Sequence, residues 1–257
     1  MAVKPCVIIP CFNHAATVAA VAHEAGAHCP VLIVDDGSTV PLPEHPGAAV
    51  LRLERNNGKG AALRAGFEHA RERGFSHAIT MDGDGQHFAG DVPKFLAAAQ
   101  KQPGALVVGR RDFDASGCPA GRRRANQVST FWFRVATGVR LHDSQCGFRC
   151  YPLALTRRLK THAGRYAFEM EFMVRASWVG TPIAVVPVKC SYEPEQLRQS
   201  RFRPARDLAH ITIVHAGLVI ESRVVPQRLR AAWAFGEKKS HDETSVNLIA
   251  KLPPINR

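Results

Sequence analysis

Ile79-Thr80-Met81-Asp82-Gly83-Asp84-Gly85-Gln86-His87 decides how the rest of the chain reads. An apolar run, residues 78–81, stops at two carboxylates two positions apart. Such a run reads as a strand handing over to a loop at its C-terminal end, where open α/β sheets bind ligands. Side chains at i and i+2 of an extended segment point the same way. Asp82 and Asp84 are therefore expected to face one hard cation, Mg²⁺ or Mn²⁺, with Gln86 offering a third oxygen from the same side. A cation held this way keeps positions open for diphosphate oxygens and stabilises a departing nucleoside diphosphate. Two plainer readings compete. One is an acidic turn, because Asp-Gly pairs are common turn formers. The other, an EF-hand calcium loop, fails because His87 and Pro93 stand where it needs Gly and Glu.

Outward from this stretch, apolar runs at residues 3–10, 31–34, 50–53, 77–81 and 105–109 read as strands. Between them, residues 15–27, 60–73 and 91–100 read as helices, the last with Asp91 as its cap. That alternation predicts an α/β fold: a mostly parallel central sheet with helices on both faces. The second half is patterned differently. Helices are expected over 122–137, 168–179 and 206–223, a short strand over 146–151, and a strand pair or one bent strand over 181–192. The expected organisation is one domain over residues 1–225, its nucleotide-binding half near 1–110 and its acceptor half near 111–225. Residues 226–257 read as a polar tail, expected to be disordered.

Composition narrows the partners. The 257 residues are ample for a sizeable core. A net charge of +12, from 34 Lys+Arg against 22 Asp+Glu, favours anions: phosphorylated substrates, an anionic membrane or nucleic acid. No zinc finger, RRM signature or basic zipper supports nucleic acid. The seven cysteines show no CxxC or zinc spacing and read as free, mostly buried thiols. No apolar run reaches the roughly 18 residues of a membrane span. The N-terminus also lacks a signal-peptide hydrophobic region. The expected location is the cytoplasm, with peripheral contact at the inner face of the cytoplasmic membrane.

The first four strands all end in polar clusters: Pro10-Cys11-Phe12-Asn13, Asp35-Asp36-Gly37-Ser38, Asn57-Gly58-Lys59-Gly60 and Asp82-Gly83-Asp84. Each alone is a plausible turn or cap; on one edge of one sheet they suit a nucleotide. A carboxylate at Asp35 or Asp36 can accept from a base N–H or a ribose hydroxyl. Asn57 to Gly60 opens a helix, whose N–H groups, with Lys59, favour an anion. Neither a Walker GxxxxGK[ST] nor a GxGxxG after the first strand is present.

These clusters, with Val7-Ile8-Ile9 before the first and Ala61-Ala62-Leu63-Arg64-Ala65-Gly66 after the third, resemble family 2 glycosyltransferases of the GT-A fold. That fold has a Rossmann-like nucleotide-binding half. Asp143-Ser144-Gln145-Cys146-Gly147-Phe148-Arg149, Phe168-Glu169-Met170-Glu171 and Tyr192-Glu193-Pro194 with Ser200-Arg201-Phe202-Arg203-Pro204 are similar to motifs of one branch, the polyprenyl- and dolichyl-phosphate sugar synthases. The resemblance covers roughly residues 4–220. It implies that Asp35 and Asp36 hold base and ribose, that Asp82 sits by the sugar and diphosphate, and that Asp84 and Gln86 ligate Mg²⁺ or Mn²⁺. Pro10, Phe12, Asn13, Asn57, Lys59 and Arg64 complete the implied nucleotide-binding set. Gln145 and Glu171 line the sugar and acceptor side in that scheme, and Arg110, Arg201 and Arg203 meet phosphates. The family usually has an acid where this chain has His14, and Asp where it has Val40; both departures fall on the nucleotide side.

The implied activity is metal-dependent, inverting transfer of a sugar from a UDP- or GDP-sugar to a lipid-linked phosphate or another membrane glycoconjugate precursor. A phosphate acceptor is already anionic and needs no strong base; a hydroxyl acceptor does, and Glu171 is then the candidate. Glu169 and Glu171 otherwise read as a solvated helix face. Phe148 and Phe168 read as core, and Arg122 to Arg124 as a basic patch that is either solvated or in contact with a membrane surface or phosphate. Residues 206–223 suit packing on the core better than lying on a membrane. The alternatives are a sugar nucleotidylyltransferase, which would want a Gly-rich basic loop after the first strand, and a non-catalytic basic membrane module.

Overall fold

The structure, a computed structural model, describes residues 2–43, 45, 47–114, 117–192 and 204–235, with the side chains of 204–210 and 228 outside the description. Seven strands build one sheet: β1 (Pro5–Cys11), β2 (Val31–Asp35), β3 (Ala48–Arg52), β4 (His77–Thr80), β5 (Leu106–Arg111), β6 (Arg149–Pro152) and β7 (Ile183–Val188), in the order β3-β2-β1-β4-β6-β5-β7. All neighbours are parallel except β6, which runs against both β4 and β5. The expected mostly parallel α/β sheet is therefore present.

Alternation along the strands splits the core into two layers. Ile8, Leu32, Val34, Ala78, Val108 and Tyr151 face one side. There they meet α2 (Lys59–Glu72), α5 (Leu153–Arg158) and α6 (Ala167–Trp178). Val7, Ile9, Ile33, Ile79, Val107 and Cys150 face the other, against α1 (Ala15–Gly26) and α3 (Val92–Lys101). Helix α4 (Ala120–Thr137) and the later helices α7 (Pro204–Val224) and α8 (Gln227–Phe235) pack around α6. Phe148 and Phe168 are core, as expected, at 0% and 1% exposure. All seven cysteines are free thiols, six of them buried.

Several local expectations are corrected. Residues 181–192 carry one strand, β7, and no pair. Asp91 makes no side-chain cap to α3; its carboxylate accepts from the Lys189 N–H at 2.6 Å and pairs with Lys94 at 2.6 Å, tying α3 to β7. The short helix α5 was absent from the sequence reading. The segment from 226 opens with α8, whose Ala234 carbonyl accepts from Lys160 N–H at 2.7 Å and whose Phe235 lies under Arg158. Residues 236–257 fall outside the described residues. Helix α7 packs inward through His215 and Leu218 while Ile213 and Ile220 stay exposed, so it has a core face and an apolar outer face. No helix among the described residues is long and apolar enough to cross a membrane.

Register positions the site. Cys11, Asp35 and Arg52 stand side by side at the C-terminal ends of β1, β2 and β3, so the loops that follow leave from one rim. Strand β4 stops earlier, Thr80 pairing with Ile8. Because β6 is reversed, the loop before it, residues 143–148, reaches that same rim.

Candidate active site

The loop after β4 is a turn, not an extended continuation. Gly85 takes φ 74°, and Asp84 Oδ1 accepts from the Gln86 N–H at 3.1 Å. Asp82 and Asp84 thus fail to project as strand neighbours and acquire different surroundings. Asp82 Oδ1 lies 2.5 Å from Lys59 Nζ, which also reaches Glu169 Oε2 at 2.8 Å. Burial disfavours the Asp82 anion, but the Lys59 ammonium and His87 beside it hold its carboxyl below the ordinary value. Burial likewise opposes the Lys59 charge, and the two carboxylates override it, keeping the ammonium protonated. Asp84 makes no ion pair among the described residues, and the charges of Lys59 and Arg122 nearby only partly offset what raises it. Burial and the neighbouring Asp82 charge push it up to about 6. Buried His87 is pushed down to about 4 and stays neutral against Phe148.

This cluster requires glycines. A Cβ on Gly147 would stand 2.5 Å from Asp82 Oδ2 and 2.9 Å from Lys59 Nζ. One on Gly60 would meet Phe168 Cβ at 2.7 Å. The first admits the Lys59–Asp82 pair; the second lets the start of α2 close on the start of α6. Arg149, 1% exposed, donates to the carbonyls of Cys146, Ser144 and Glu169, at 2.7, 2.9 and 2.7 Å, and so welds the 143–147 loop to α6.

On the far side of the acidic loop, Arg111 grips Asp143 through Nε at 2.7 Å and Nη2 at 2.9 Å and donates Nη1 to the Tyr192 hydroxyl at 3.1 Å. Arg122 stacks over the Tyr192 ring and points Nη1 at Gln86 Oε1, 3.5 Å away. Cations therefore flank the acidic turn on both sides.

The nucleotide-side expectations are largely redirected into structure. Asp35 accepts from Ser38 N–H at 2.9 Å and from Arg52 at 2.6 Å, and is fully buried. The anion expected at the start of α2 is the chain's own Asp36, whose carboxylate accepts from Asn57 N–H at 3.0 Å and Gly58 N–H at 2.7 Å. Both acids are buried in this arrangement and shape the rim. Asn13 fastens the first loop to the second through Thr39. Pro10 and Phe12 are half-buried at the end of β1, and Asn57 turns its side chain to Arg55 O. Arg64 donates to Ala163 O at 3.1 Å and covers Phe168, one turn down α2 from the rim. Lys59 is no open anion receptor, being held between Asp82 and Glu169.

Glu171 is engaged with the backbone and with Arg175. Its carboxylate accepts from the His162 and Ala163 N–H groups at 2.7 and 2.6 Å and pairs with Arg175 at 2.8 Å. It is buried and holds three donors in place. Glu169 takes its place at the rim, and its buried Oε1 has no partner. Gln145 spans Asp143 and Ala125 at the base of the loop. Arg110 is exposed and lines a separate cavity beside β5. Arg201 and Arg203 lie outside the described residues.

The acidic turn was tested for its fit to a divalent cation. No group of three His, Cys, Asp or Glu suited to a metal occurs among the described residues. The turn does offer Asp84, which has no ion pair among the described residues, and the buried Gln86 amide, whose Nε2 has no partner and whose Oε1 has only the long contact to Arg122. That amide can turn over at little cost, presenting an oxygen beside a carboxylate. Two or three hard oxygens fit a cation that draws its remaining ligands from a diphosphate.

A polar rim at the C-terminal ends of parallel strands defines a nucleotide-type α/β site. The chain belongs to glycosyl transferase family 2, whose family model matches residues 6–162. It is 28% identical over 172 residues to an undecaprenyl-phosphate mannosyltransferase of Micrococcus luteus, covering 62% of this chain and 70% of the relative. It is 27% identical over 200 residues to a polyprenol monophosphomannose synthase of Mycolicibacterium smegmatis, covering 71% and 75%. The expected branch is thus the one its relatives occupy. Among solved structures, glucosyl-3-phosphoglycerate synthase of Mycobacterium tuberculosis, in complex with Mn²⁺, UDP and phosphoglyceric acid, superimposes with TM-score 0.64 at 18% identity, covering 87% of this chain and 79% of that one. Mannosyl-3-phosphoglycerate synthase of Rubrobacter xylanophilus does so with TM-score 0.62 at 17% identity, covering 89% and 76%. These likenesses confirm the GT-A fold.

Proposed function

We propose that this glycosyltransferase moves a hexosyl group from a nucleoside diphosphate sugar to a lipid-linked phosphate, with inversion at the anomeric carbon. The observation that carries the reading is the paired environment of the acidic turn: Asp82 is held ionised by its ion pair with Lys59, while Asp84, with no ion pair among the described residues, is raised to about 6 by burial and by Asp82. Asp84 and Gln86 would hold Mg²⁺ or Mn²⁺. When bound, the ion supplies positive charge to the donor's diphosphate as it departs.

The chain's own groups do the rest. Lys59 holds Asp82 and Glu169 together beside the turn. The orphaned Glu169 Oε1 accepts a hydroxyl of the transferred sugar, which relieves its unpaired burial. Arg122 and Arg111, with Tyr192, orient the anionic partners on the opposite side. An acceptor phosphate oxygen is anionic near neutral pH, so no side chain need take a proton; this agrees with the engagement of Glu171 elsewhere. A single displacement inverts the anomeric centre.

The test is incubation with a panel of UDP- and GDP-sugars, Mn²⁺ or Mg²⁺ and a polyprenyl phosphate, following labelled sugar into an organic-soluble product and its anomeric configuration by NMR. Inverted product supports the reading. Pyrophosphate release from a nucleoside triphosphate and a sugar phosphate, without transfer, would replace it with nucleotidylyl transfer.

A further inference from the structure

Beside β5, on the far side of the Arg111–Asp143 pair from the acidic turn, lies a cavity of about 1010 Å³ between α4, the 138–142 turn and the end of β7. Asp82, Asp84, Gln86 and Arg122 do not line it. Seven of its lining side chains are cationic and two are acidic. Three of the seven are committed: Arg111 to Asp143, Lys94 to Asp91 and Arg123 to Asp114. Arg110, Arg134, Arg140 and Lys189 have no ion-pair partner among the described residues. One exposed arginine is simply solvated. Four unpaired cations around one concavity repel one another, and a bound anion relieves that repulsion. Guanidinium forks suit phosphate oxygens. The rest of the lining is mixed: Phe131, 58% exposed, and Leu141 give it apolar surface, and Asn126, Gln127, Thr130 and His142 add neutral polar groups.

We propose that this cavity is a second anion site, separate from the donor's corner, that takes a phosphate or diphosphate group between Arg134 and Arg140 with Phe131 as its apolar wall. The group's source is either a lipid headgroup at a bilayer surface or a soluble phosphate compound. The site does not depend on the transfer reaction proposed above.

The test uses the full chain, with two probes and three sets of variants. Pyrophosphate binding is followed by calorimetry, and association with phosphatidylglycerol vesicles by co-sedimentation against phosphatidylcholine controls. Arg134→Ala/Arg140→Ala, with the charge-reversed Arg134→Glu/Arg140→Glu beside it, should weaken binding of at least one probe roughly tenfold or more at low salt, less as salt screens it. Release of nucleoside diphosphate from the donor should stay as in the unmutated protein. If Phe131→Ser weakens vesicle association and spares pyrophosphate, the source is a lipid headgroup. If only pyrophosphate binding responds to the arginine variants, the source is soluble. Absence of binding to both probes, or binding that survives the arginine variants, overturns the proposal. So does binding that disappears in Asp84→Ala instead, because it then belongs to the donor corner. Donor turnover is read separately, so a failure of the transfer reading leaves this outcome legible.

Discussion

Lys59 Nζ and Glu169 Oε2 lie 2.8 Å apart, joining the first turn of α2 to the first turn of α6 directly behind Asp82. Glu169→Gln removes one of the two charges that hold Lys59 and the oxygen assigned to the sugar. We expect kcat to fall roughly a hundredfold, as for loss of a preorganised polar group in an active site, with the fold retained. Steady-state kinetics beside a thermal melt checks this; an unchanged kcat would remove Glu169 from the site.

Glu171→Gln should behave in the opposite sense. It breaks a buried pair with Arg175 and weakens two backbone hydrogen bonds. The expected loss is about 2–4 kcal/mol of stability, with kcat of the folded fraction close to the unmutated value. Denaturant titration and kinetics well below the melting temperature separate the two glutamates.

Gly147→Ala drives a methyl group into Asp82 and Lys59. Activity should drop at least about tenfold, since misplacement by an ångström or so already costs that much. Gly104→Ala, with nothing within 4 Å of the added Cβ, is the control and should keep full activity.

Asp84 gives a pH signature of the metal-free protein. Its carboxyl is raised to about 6 from 3.8, so the folded state binds the proton more tightly than the unfolded state does. Its stabilising contribution is present in full below 3.8 and is lost as pH rises through about 6. Asp84→Asn should therefore be more stable than the unmutated chain at pH 8, by roughly 1 kcal/mol given the partial exposure, and the gain should vanish near pH 4. Melting curves in EDTA across this range test it. The same variant should lose turnover at every pH.

Asp36→Ala should cost about 2 kcal/mol, the penalty for two backbone N–H groups left without their acceptor. KM for the donor should rise more than kcat falls, because the rim loop loses its shape while the Lys59 cluster remains.

What could be read from the sequence was whatever repeats locally. Apolar runs ending in Asp35, Asn57 and Asp82 located the sheet edge, because strand termini and polar clusters adjoin in the chain. The partner of each rim residue was not legible. Lys59 meets Glu169 across 110 positions, and no period connects them. The choice between Glu169 and Glu171 depended on how α6 faces its neighbours, and residues 167–176 are all buried, so no amphipathic stripe marks a side. Arg111 was passed over for Arg110, although Asp143 in the D-x-Q motif was a signal that a buried cation stood near. The sequence leaves Arg122 open between a solvated patch and a phosphate or membrane contact because its partners, Gln86 and Tyr192, come from distant loops.

The reversed strand β6 sits between β4 and β5 and is the only link between them in the sheet. The first 110 or so residues consequently cannot be excised as an autonomous module: a fragment ending there would expose the naked flanks of both strands and invite self-association. A chain cut in the 111–119 connection should stay assembled, each piece supplying what the other lacks, so the two parts of the sheet stand or fall as one cooperative unit.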